Sequence, residues 1–270
     1  MAGDYIAPIL AAKVGERARM TPEERFQFDL EGYLVVKGVL SSTELAELNA
    51  VAGDPPGGWG EGPFYRASKV SQWGPGYQAL IDHPKLVPYL LELVGPRVRL
   101  DHDYCIFMRQ GAPSGNLHGG PSPQIGSGDH WYVCHNGVIR NGLTVVTFNL
   151  TDAGPGDGGF GCIPGSHKSN FVNDLPTEVR RHERGAHYVR QVEAQAGDVI
   201  IFTEALMHGT LAWNAATERR SLLYKYSPGH SSWSRHYYDM DDYTDLTEQQ
   251  QRFLMPPFIG EREDTVQEKS

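Results

Sequence analysis

The first third of the chain mixes helix and strand patterns. Serine or threonine followed three residues later by glutamate forms capping boxes at 21–24 and 41–44, and the second box predicts a helix over about 42–52. Between the boxes, residues 33–39 (YLVVKGV) are rich in β-forming residues and predict a strand. Apolar residues spaced three and four apart over 86–94 predict another helix. We expect these helices to buttress a sheet rather than to form a domain of their own.

Beyond residue 97 the pattern changes to strands. Helical periodicity is nearly absent until 246–254, and glycine-rich turns, above all 154–161 (GPGDGGFG), separate short apolar runs. The runs that predict strands are 104–108, 143–150, 199–202 and 221–226. Strands at this density are typical of a sandwich or barrel, so the fold class is expected to be mainly β.

Acidic charge is concentrated at the C-terminal end. The formal net charge of the 270 residues is −9, and 239–270 holds nine acidic against three basic residues, hence −6 of the total. This balance gives nucleic-acid binding little electrostatic support. It also favours a solvated, partly disordered tail. We therefore divide the chain into a single domain over 1–238 and an acidic C-terminal helix and tail over 239–270.

Cysteine usage indicates a reducing compartment, and hydropathy gives no sign of a signal peptide or a membrane span. The three cysteines are odd in number and form no CxxC pair, which gives no support to a disulfide framework or a zinc ribbon. The N-terminus has no basic start followed by a long apolar run, and no stretch approaches the roughly eighteen apolar residues of a membrane span. We expect a cytoplasmic protein with no signal peptide and no membrane contact.

The candidate chemistry centres on a histidine and an arginine. His208 follows the apolar strand over 199–202, and Arg219 opens the next predicted strand. Histidine is the commonest metal ligand, and arginine can hold a carboxylate through two parallel hydrogen bonds. Together they are what a non-haem iron enzyme with an organic-acid cosubstrate needs. His118 is the best partner for His208, because it follows the strand over 104–108 and the glycines after it allow close approach.

Four segments resemble the phytanoyl-CoA dioxygenase family of iron(II)/2-oxoglutarate oxygenases. They are residues 28–48 (FDLEGYLVVKGVLSSTELAEL), 156–171 (GDGGFGCIPGSHKSNF), 196–213 (AGDVIIFTEALMHGTLAW) and 218–229 (ERRSLLYKYSPG). The resemblance implies a double-stranded β-helix, a cupin-like jelly roll with flanking N-terminal helices and iron between its sheets. It also implies that His118 and His208 bind Fe(II) and that Arg219 holds the far carboxylate of 2-oxoglutarate.

One position departs from the family motif, which is histidine, any residue, then aspartate. The third position here is Gly120, so the usual carboxylate ligand is missing. Three explanations are open. Another acid, Glu204 or Asp129, binds the metal; two histidines and water hold the iron; or chloride binds beside Gly120, as in similar halogenases of this superfamily.

Further residues are candidates for cosubstrate or substrate contacts. Arg109 and Gln110, near the end of the strand before His118, could meet the near carboxylate of the cosubstrate. His130, Tyr132 and His135 lie in a segment expected to cover the cavity mouth, and Trp213 lies on a predicted loop. Arg219 and Arg220 are adjacent, so on a strand they face opposite sides, and we expect Arg219 to enter the barrel.

These observations predict an oxygenase that uses Fe(II), 2-oxoglutarate and O2 to hydroxylate an unactivated C–H bond of a small organic molecule. Two alternatives are a halogenase that uses chloride and a non-catalytic jelly-roll binding protein. The expected partner is a small-molecule substrate, with no nucleic acid and no membrane. The sequence indicates neither the substrate nor the oligomeric state.

Overall fold

The computed structural model describes residues 20–121 and 130–267. The strands are β1 (Tyr33–Val36), β2 (Phe64–Ser68), β3 (Val98–Met108), β4 (Tyr132–His135), β5 (Val138–Asn141), β6 (Thr144–Asn149), β7 (Gly159–Cys162), β8 (Arg190–Gln191), β9 (Val199–Thr203), β10 (His208–Leu211) and β11 (Arg219–Pro228). The helices are α1 (Pro22–Glu31), α2 (Ser42–Gly53), α3 (Pro75–Gln78), α4 (Val87–Leu93), α5 (Thr177–Arg180) and α6 (Glu248–Leu254). Short 3₁₀ helices cover Val70–Gln72, Ala79–Asp82, Ser166–Lys168, Val172–Asp174 and Met240–Asp242.

The strands form two main antiparallel sheets and one hairpin. The large sheet has the order β1-β9-β6-β11-β3-β2, the small sheet has the order β10-β7-β8, and β4 pairs with β5. Every strand pair is antiparallel. The expectation of a mainly β protein is therefore confirmed.

The two faces of the large sheet have different partners because successive side chains on a strand point in opposite directions. On β11, Leu223 packs in the apolar layer between the sheets, and Leu222 and Tyr224 pack on the helix side. Arg219, Ser221 and Lys225 share the face of Leu223 and so face the small sheet. The layer between the sheets includes Tyr33, Tyr104, Val145, Phe160, Phe202, Leu206 and Leu223.

The N-terminal helices cover the outer face of the large sheet. The capping boxes predicted at 21–24 and 41–44 are both formed, and they begin α1 and α2. The strand predicted over 33–39 stops at Val36, because Lys37 and Gly38 turn away and donate hydrogen bonds to Asp198 at 2.8 and 3.0 Å. This helical layer leaves the opposite face of the sheet for the site.

The C-terminal segment differs from its prediction. The sequence predicts a helix and a solvated tail over 239–270. The helix is present as α6, but it buries Phe253 and Leu254 in the helix-side core, and Tyr243 and Val266 pack against that core. The many acids of this segment favoured the prediction of a solvated tail. In the structure most of these acids are exposed, and the apolar side chains between them pack inward. Among the described residues, none of the helices has both the length and the apolar character that crossing a bilayer requires.

Candidate metal centre and cosubstrate site

His118 and His208 lie side by side at the edge of the small sheet. Their backbones exchange two hydrogen bonds of 2.7 and 2.8 Å, which form an antiparallel bridge at the start of β10. Their ring centroids are 4.4 Å apart, and His208 also packs against Phe202 with centroids at 4.6 Å. The fold therefore brings together two imidazoles that are 90 positions apart in the sequence, close enough to share one ion.

Backbone carbonyls fix the orientation of both rings. Nδ1 of His118 lies 2.9 Å from the carbonyl oxygen of Asn116, and Nδ1 of His208 lies 2.7 Å from that of Leu206. A carbonyl oxygen can only accept, so each Nδ1 donates and each Nε2 keeps its lone pair. Burial, together with the neighbouring His118, lowers the pKa of His208 to about 3, although Glu204 acts in the opposite direction. A neutral imidazole with Nδ1 anchored in this way is the form that binds a metal.

Gly119 makes this close approach possible. Its φ is +85°, and a Cβ at this position would lie 2.5 Å from the carbonyl oxygen of Leu206 and 2.7 Å from that of Glu204. Any other residue would push the His118 segment away from the turn that carries His208. The glycine thus sets the separation of the two imidazoles.

Gly120 does not point towards the imidazoles. Its φ is +92°, and its Cβ would lie 3.0 Å from Cγ2 of Val172 and 3.3 Å from Cε of Met207. Both neighbours belong to an apolar cluster with Leu117. The space that a side chain at position 120 would enter is therefore apolar.

A buried carboxylate lies beside His208 instead. Oε1 of Glu204 is 3.8 Å from Nε2 of His208 and 2.5 Å from Nζ of Lys225, and Oε2 is 3.7 Å from Nε2 of His130. Glu204 is only 3% exposed and Lys225 only 7%. Burial alone would raise the pKa of Glu204, but the charge and hydrogen bond of Lys225, together with the nearby His208 and His130, outweigh burial and lower the pKa to about 2. Glu204 is thus an ionised carboxylate at neutral pH, held by the ammonium of Lys225.

Within residues 20–121 and 130–267, no three side chains of histidine, cysteine, aspartate or glutamate are grouped closely enough to hold a metal. Glu204 is turned towards Lys225 rather than towards both imidazoles. Asp129, the other acid considered for this role, lies outside the described residues. The described residues therefore supply two preformed nitrogen donors and one nearby carboxylate.

Arg219 provides a buried cation on the inner face. It is 4% exposed, its Nη1 lies 3.5 Å from Sδ of Met108, and a Cβ on Gly159 would lie 3.0 Å from its Nε. No carboxylate forms an ion pair with it within the described part of the chain. Burial lowers its pKa to about 10, so the guanidinium stays charged at neutral pH. Arg220, on the opposite face, instead contacts Glu218 at 2.7 Å.

A comparison with known protein families matches the part of the chain that carries this site. Residues 111–221 match the family model described as Phytanoyl-CoA dioxygenase (PhyH), and the matched region contains His118, His208 and Arg219. The region that carries the candidate site is therefore similar to the phytanoyl-CoA dioxygenase family. This confirms the resemblance inferred from the sequence motifs. No curated protein shows a significant match to the sequence.

Solved structures of similar fold include proteins with a metal or with 2-oxoglutarate bound. HygX from Streptomyces hygroscopicus, with nickel and 2-oxoglutarate bound, is 25% identical with a TM-score of 0.69, covering 81% of this chain and 91% of HygX. EctD from S. alaskensis with bound Fe is 17% identical with a TM-score of 0.61, covering 83% of this chain and 82% of EctD. AviO1 from Streptomyces viridochromogenes Tue57 is 19% identical with a TM-score of 0.58, covering 76% and 93%. At these lower identities, EctD and AviO1 show a shared fold.

Arg109 and Gln110 do not lie against Arg219. Nε of Arg109 lies 3.3 Å from Glu218, and its guanidinium stacks 4.4 Å from the ring centroid of Trp59 on the helix side of the sheet. Gln110 donates to the carbonyl oxygen of Asn214 at 3.0 Å. The side chain of Met108 faces inward, so Arg109 points outward.

The four predicted substrate contacts separate in the structure. His130 lies near Glu204 and stacks on Trp233 with ring centroids 4.9 Å apart. Tyr132 instead donates a short hydrogen bond to Asp29 of α1, and His135 is exposed on the β4–β5 hairpin. Trp213 is fully buried beside Gly159, and its Nε1 donates to the carbonyl oxygen of Thr217 at 2.7 Å. Of these four residues, His130 is the one that lies against Glu204, the carboxylate beside His208.

Sequence reasoning missed two residues of the site, Lys225 and Tyr104. Lys225 holds Glu204, and its Nζ lies 5.3 Å from the ring centroid of Tyr104. Both lie on the inner face of the large sheet. The strand alternation that selects Arg219 also selects positions 221, 223 and 225, so counting in twos along β11 would have found the lysine.

Proposed function

We propose that the protein is a non-haem iron(II)/2-oxoglutarate-dependent oxygenase that hydroxylates a C–H bond of a small organic molecule. The observation that carries this proposal is the anchored His118–His208 pair in the same inter-sheet layer as Arg219, a buried arginine without a carboxylate partner among the described residues. Two facing antiparallel sheets are also what a double-stranded β-helix requires, so we assign the site to a single jelly-roll domain over 1–238.

The donor set fits Fe(II). Imidazole nitrogen and carboxylate oxygen are ligands that non-haem iron accepts, with open positions left for cosubstrate and oxygen. His118 and His208 would hold the ion through Nε2, because their Nδ1 atoms are committed to backbone carbonyls. Bound Fe(II), 2-oxoglutarate and O2 together supply the oxidising power for inserting oxygen into a C–H bond.

Arg219 fits the far carboxylate of 2-oxoglutarate. A guanidinium presents two parallel N–H groups to a carboxylate, and burial strengthens that pair because water competes less. The described acids leave Arg219 unpaired, so a bound dicarboxylate would offset the cost of burying its charge. HygX, whose structure contains 2-oxoglutarate, supports this assignment through its similarity over 81% of the chain.

We assign the carboxylate ligand to Glu204. It is ionised, buried and 3.8 Å from Nε2 of His208. Lys225 holds one oxygen, and the terminal torsion of a glutamate is soft, so a small rotation can direct the other oxygen to an ion between the imidazoles. Asp129 is the competing acid, and comparison of the two alanine variants decides between them.

The direction of Gly120 favours hydroxylation over halogenation. Halogenation requires the space beside Gly120 to face the metal, so that chloride can bind there in place of a carboxylate. Here the Cβ direction leads to Val172 and Met207 in an apolar cluster, which does not stabilise a halide.

Cosubstrate turnover and metal affinity test the proposal. Purified protein with Fe(II), ascorbate, O2 and 2-oxoglutarate should form succinate, and titration calorimetry with Ni(II) should show one site. His208→Ala should abolish both, whereas the matched control His187→Ala, at an exposed position, should leave both unchanged. No succinate above a metal-free control, with no Ni(II) binding, would favour a non-catalytic binding protein.

The carboxylate assignment has its own test. Glu204→Ala should weaken Ni(II) affinity at least tenfold, whereas the exposed control Glu193→Ala should not. If Asp129→Ala rather than Glu204→Ala causes the loss, the assignment to Glu204 is wrong while the function stands.

A further inference from the structure

A basic pocket lies at the end of the β3–β11 pair that is opposite Arg219. Its volume is about 330 Å³, and it is lined by Arg97, Gly229, His230, Phe258, Ile259 and Arg262. The strand register pairs Pro228 with Val98 at this end and Arg219 with Met108 at the other. Ten residues of strand, roughly 30 Å, therefore separate the pocket from the cosubstrate arginine. The residues that line it include no acid, in a chain whose net charge is −9.

Arg262 is the central feature of this basic pocket. It is only 3% exposed, and its guanidinium lies 4.8 Å from the ring centroid of Phe258. Nη1 donates to the carbonyl oxygen of Pro256 at 2.8 Å, but Nε and Nη2 are buried and have no hydrogen-bond partner in the described structure. Buried donors without acceptors are costly, and a buried cation without a counter-ion is more so.

Other cations add to this unbalanced charge. Arg99 is fully buried, and although its Nη1 pairs with Asp101 at 2.8 Å, its Nη2 also has no partner. Burial, followed by the charges of Arg99 and Arg97, lowers the pKa of Arg262 to about 10, so it remains a cation at neutral pH. Asp101 is already used by Arg99 and by His102, and it does not neutralise Arg262.

A glycine and two hydrogen bonds fix the position of Arg262. A Cβ on Gly229 would lie 2.3 Å from Nε of Arg262, so only glycine lets the guanidinium lie against the end of β11. The loop is tied down on both sides, because Phe258 donates its backbone N–H to the carbonyl oxygen of Gly229 and Thr265 donates to that of Val98. Arg97, at the rim, is more than half exposed and only weakly paired with Asp264 at 3.7 Å.

We propose that this basic pocket binds an oxyanion, a phosphate or sulfate group, between Arg262 and Arg97. A guanidinium offers two parallel donors to such a group, and two guanidinium groups on one anion offset the cost of burying the charge. Phe258 and Ile259 form an apolar wall beside the anion. The site is separate from the His118–His208 pair and does not depend on the oxygenase proposal.

Inorganic phosphate is the probe. The full-length protein is titrated with phosphate and with sulfate in a calorimeter and in a thermal-shift assay, and sodium chloride holds the ionic strength constant. We expect saturable binding and a rising Tm with phosphate or sulfate but not with chloride. Arg262→Gln should abolish binding, and Arg97→Gln should weaken it roughly tenfold through the loss of one charged contact. The control is Arg184→Gln, because Arg184 is half exposed and does not line the basic pocket. This variant should bind phosphate like the wild type.

Several results would overturn the proposal. They are an equal Tm shift with chloride, binding that does not saturate, or unchanged phosphate affinity in both Arg97→Gln and Arg262→Gln. If Arg262→Gln fails to fold, Arg97→Gln decides the matter, since its exposed side chain is not needed for folding. Succinate formation by Arg97→Gln should equal that of the wild type, which separates this site from the oxygenase site.

Discussion

Replacement of Lys225 by methionine tests the charge arrangement of the site most directly. The change keeps the length and apolar stem of the side chain but leaves Glu204 as a buried carboxylate without its ammonium. In the intact protein the pKa of Glu204 is about 2, against an ordinary value of 4.5. A difference of 2.5 units corresponds to about 3 kcal/mol of stability at neutral pH. Breaking buried ion pairs typically costs about 3–5 kcal/mol, so the two estimates agree.

The pH dependence gives the prediction its signature. Because the folded pKa of Glu204 is lowered, its contribution is fully present above the unfolded value of 4.5 and is lost as the pH falls through 2. At every pH the variant lacks the part of this contribution that comes from Lys225, which is the largest of the causes that lower the pKa. The difference in free energy of unfolding between the metal-free wild type and Lys225→Met should therefore be largest near pH 7 and fall to less than half, roughly 1 kcal/mol, near pH 3.

Urea unfolding of both proteins at pH 7, 5 and 3, with chelator present, measures this difference. The matched control is Lys37→Met, because Lys37 also pairs with a carboxylate, Asp198 at 2.8 Å, but is 64% exposed and should lose less than about 1 kcal/mol. The double variant Glu204→Gln with Lys225→Met should recover part of the loss, since no buried charge remains. A loss at pH 7 no larger than that of Lys37→Met, or one that does not change with pH, would refute the reasoning.

Three further substitutions test the remaining geometry. Arg219→Met should raise the KM for 2-oxoglutarate about 100-fold, through the loss of about 3 kcal/mol, without changing Ni(II) affinity; an unchanged KM contradicts the clamp assignment. Gly120→Asp should lower the free energy of unfolding by about 1–3 kcal/mol because of its positive φ and the contact with Val172, and tighter Ni(II) binding would show that this position does face the metal. Gly119→Ala should lose about 2 kcal/mol or more in urea unfolding, because its Cβ would lie 2.5 Å from the carbonyl oxygen of Leu206, and wild-type stability would contradict that packing.

The long apolar runs predicted the central strands, because a strand buried on both faces needs a nearly continuous run of β-forming residues. β3 is longer than its prediction over 104–108, since it begins at Val98 and includes the buried Arg99 and Asp101. Those charged residues interrupt the apolar pattern of the strand in the sequence. Their mutual ion pair at 2.8 Å, with further hydrogen bonds from Arg99 to Met255 and from Ser234 to Asp101, makes their burial tolerable. The short strands β7, β8 and β10 have two to four residues each and carry no pattern long enough to detect.

Residue type and motif together selected a histidine pair that the fold places side by side, but they do not specify the direction in which a side chain points. Arg109 was proposed as a cosubstrate contact from its position near a strand end, yet strand alternation sends it to the helix side. Trp213 was considered for the substrate because it lies on a loop, but it is fully buried. The direction of Gly120 follows from two successive glycines with positive φ, which no pattern of residue types specifies.

The two inner-face cations of β11 show how a structural charge differs from a binding charge. Lys225 and Arg219 are both nearly inaccessible, so each needs a negative partner. Lys225 has one inside the protein, Glu204, at 2.5 Å, whereas the described residues provide none for Arg219. If Arg219 served folding alone, an acid placed beside it, or an apolar residue in its place, would make the protein more stable. Retaining an arginine without a partner is best explained by a carboxylate that arrives with the ligand, and this distinguishes Arg219 from the equally buried Lys225.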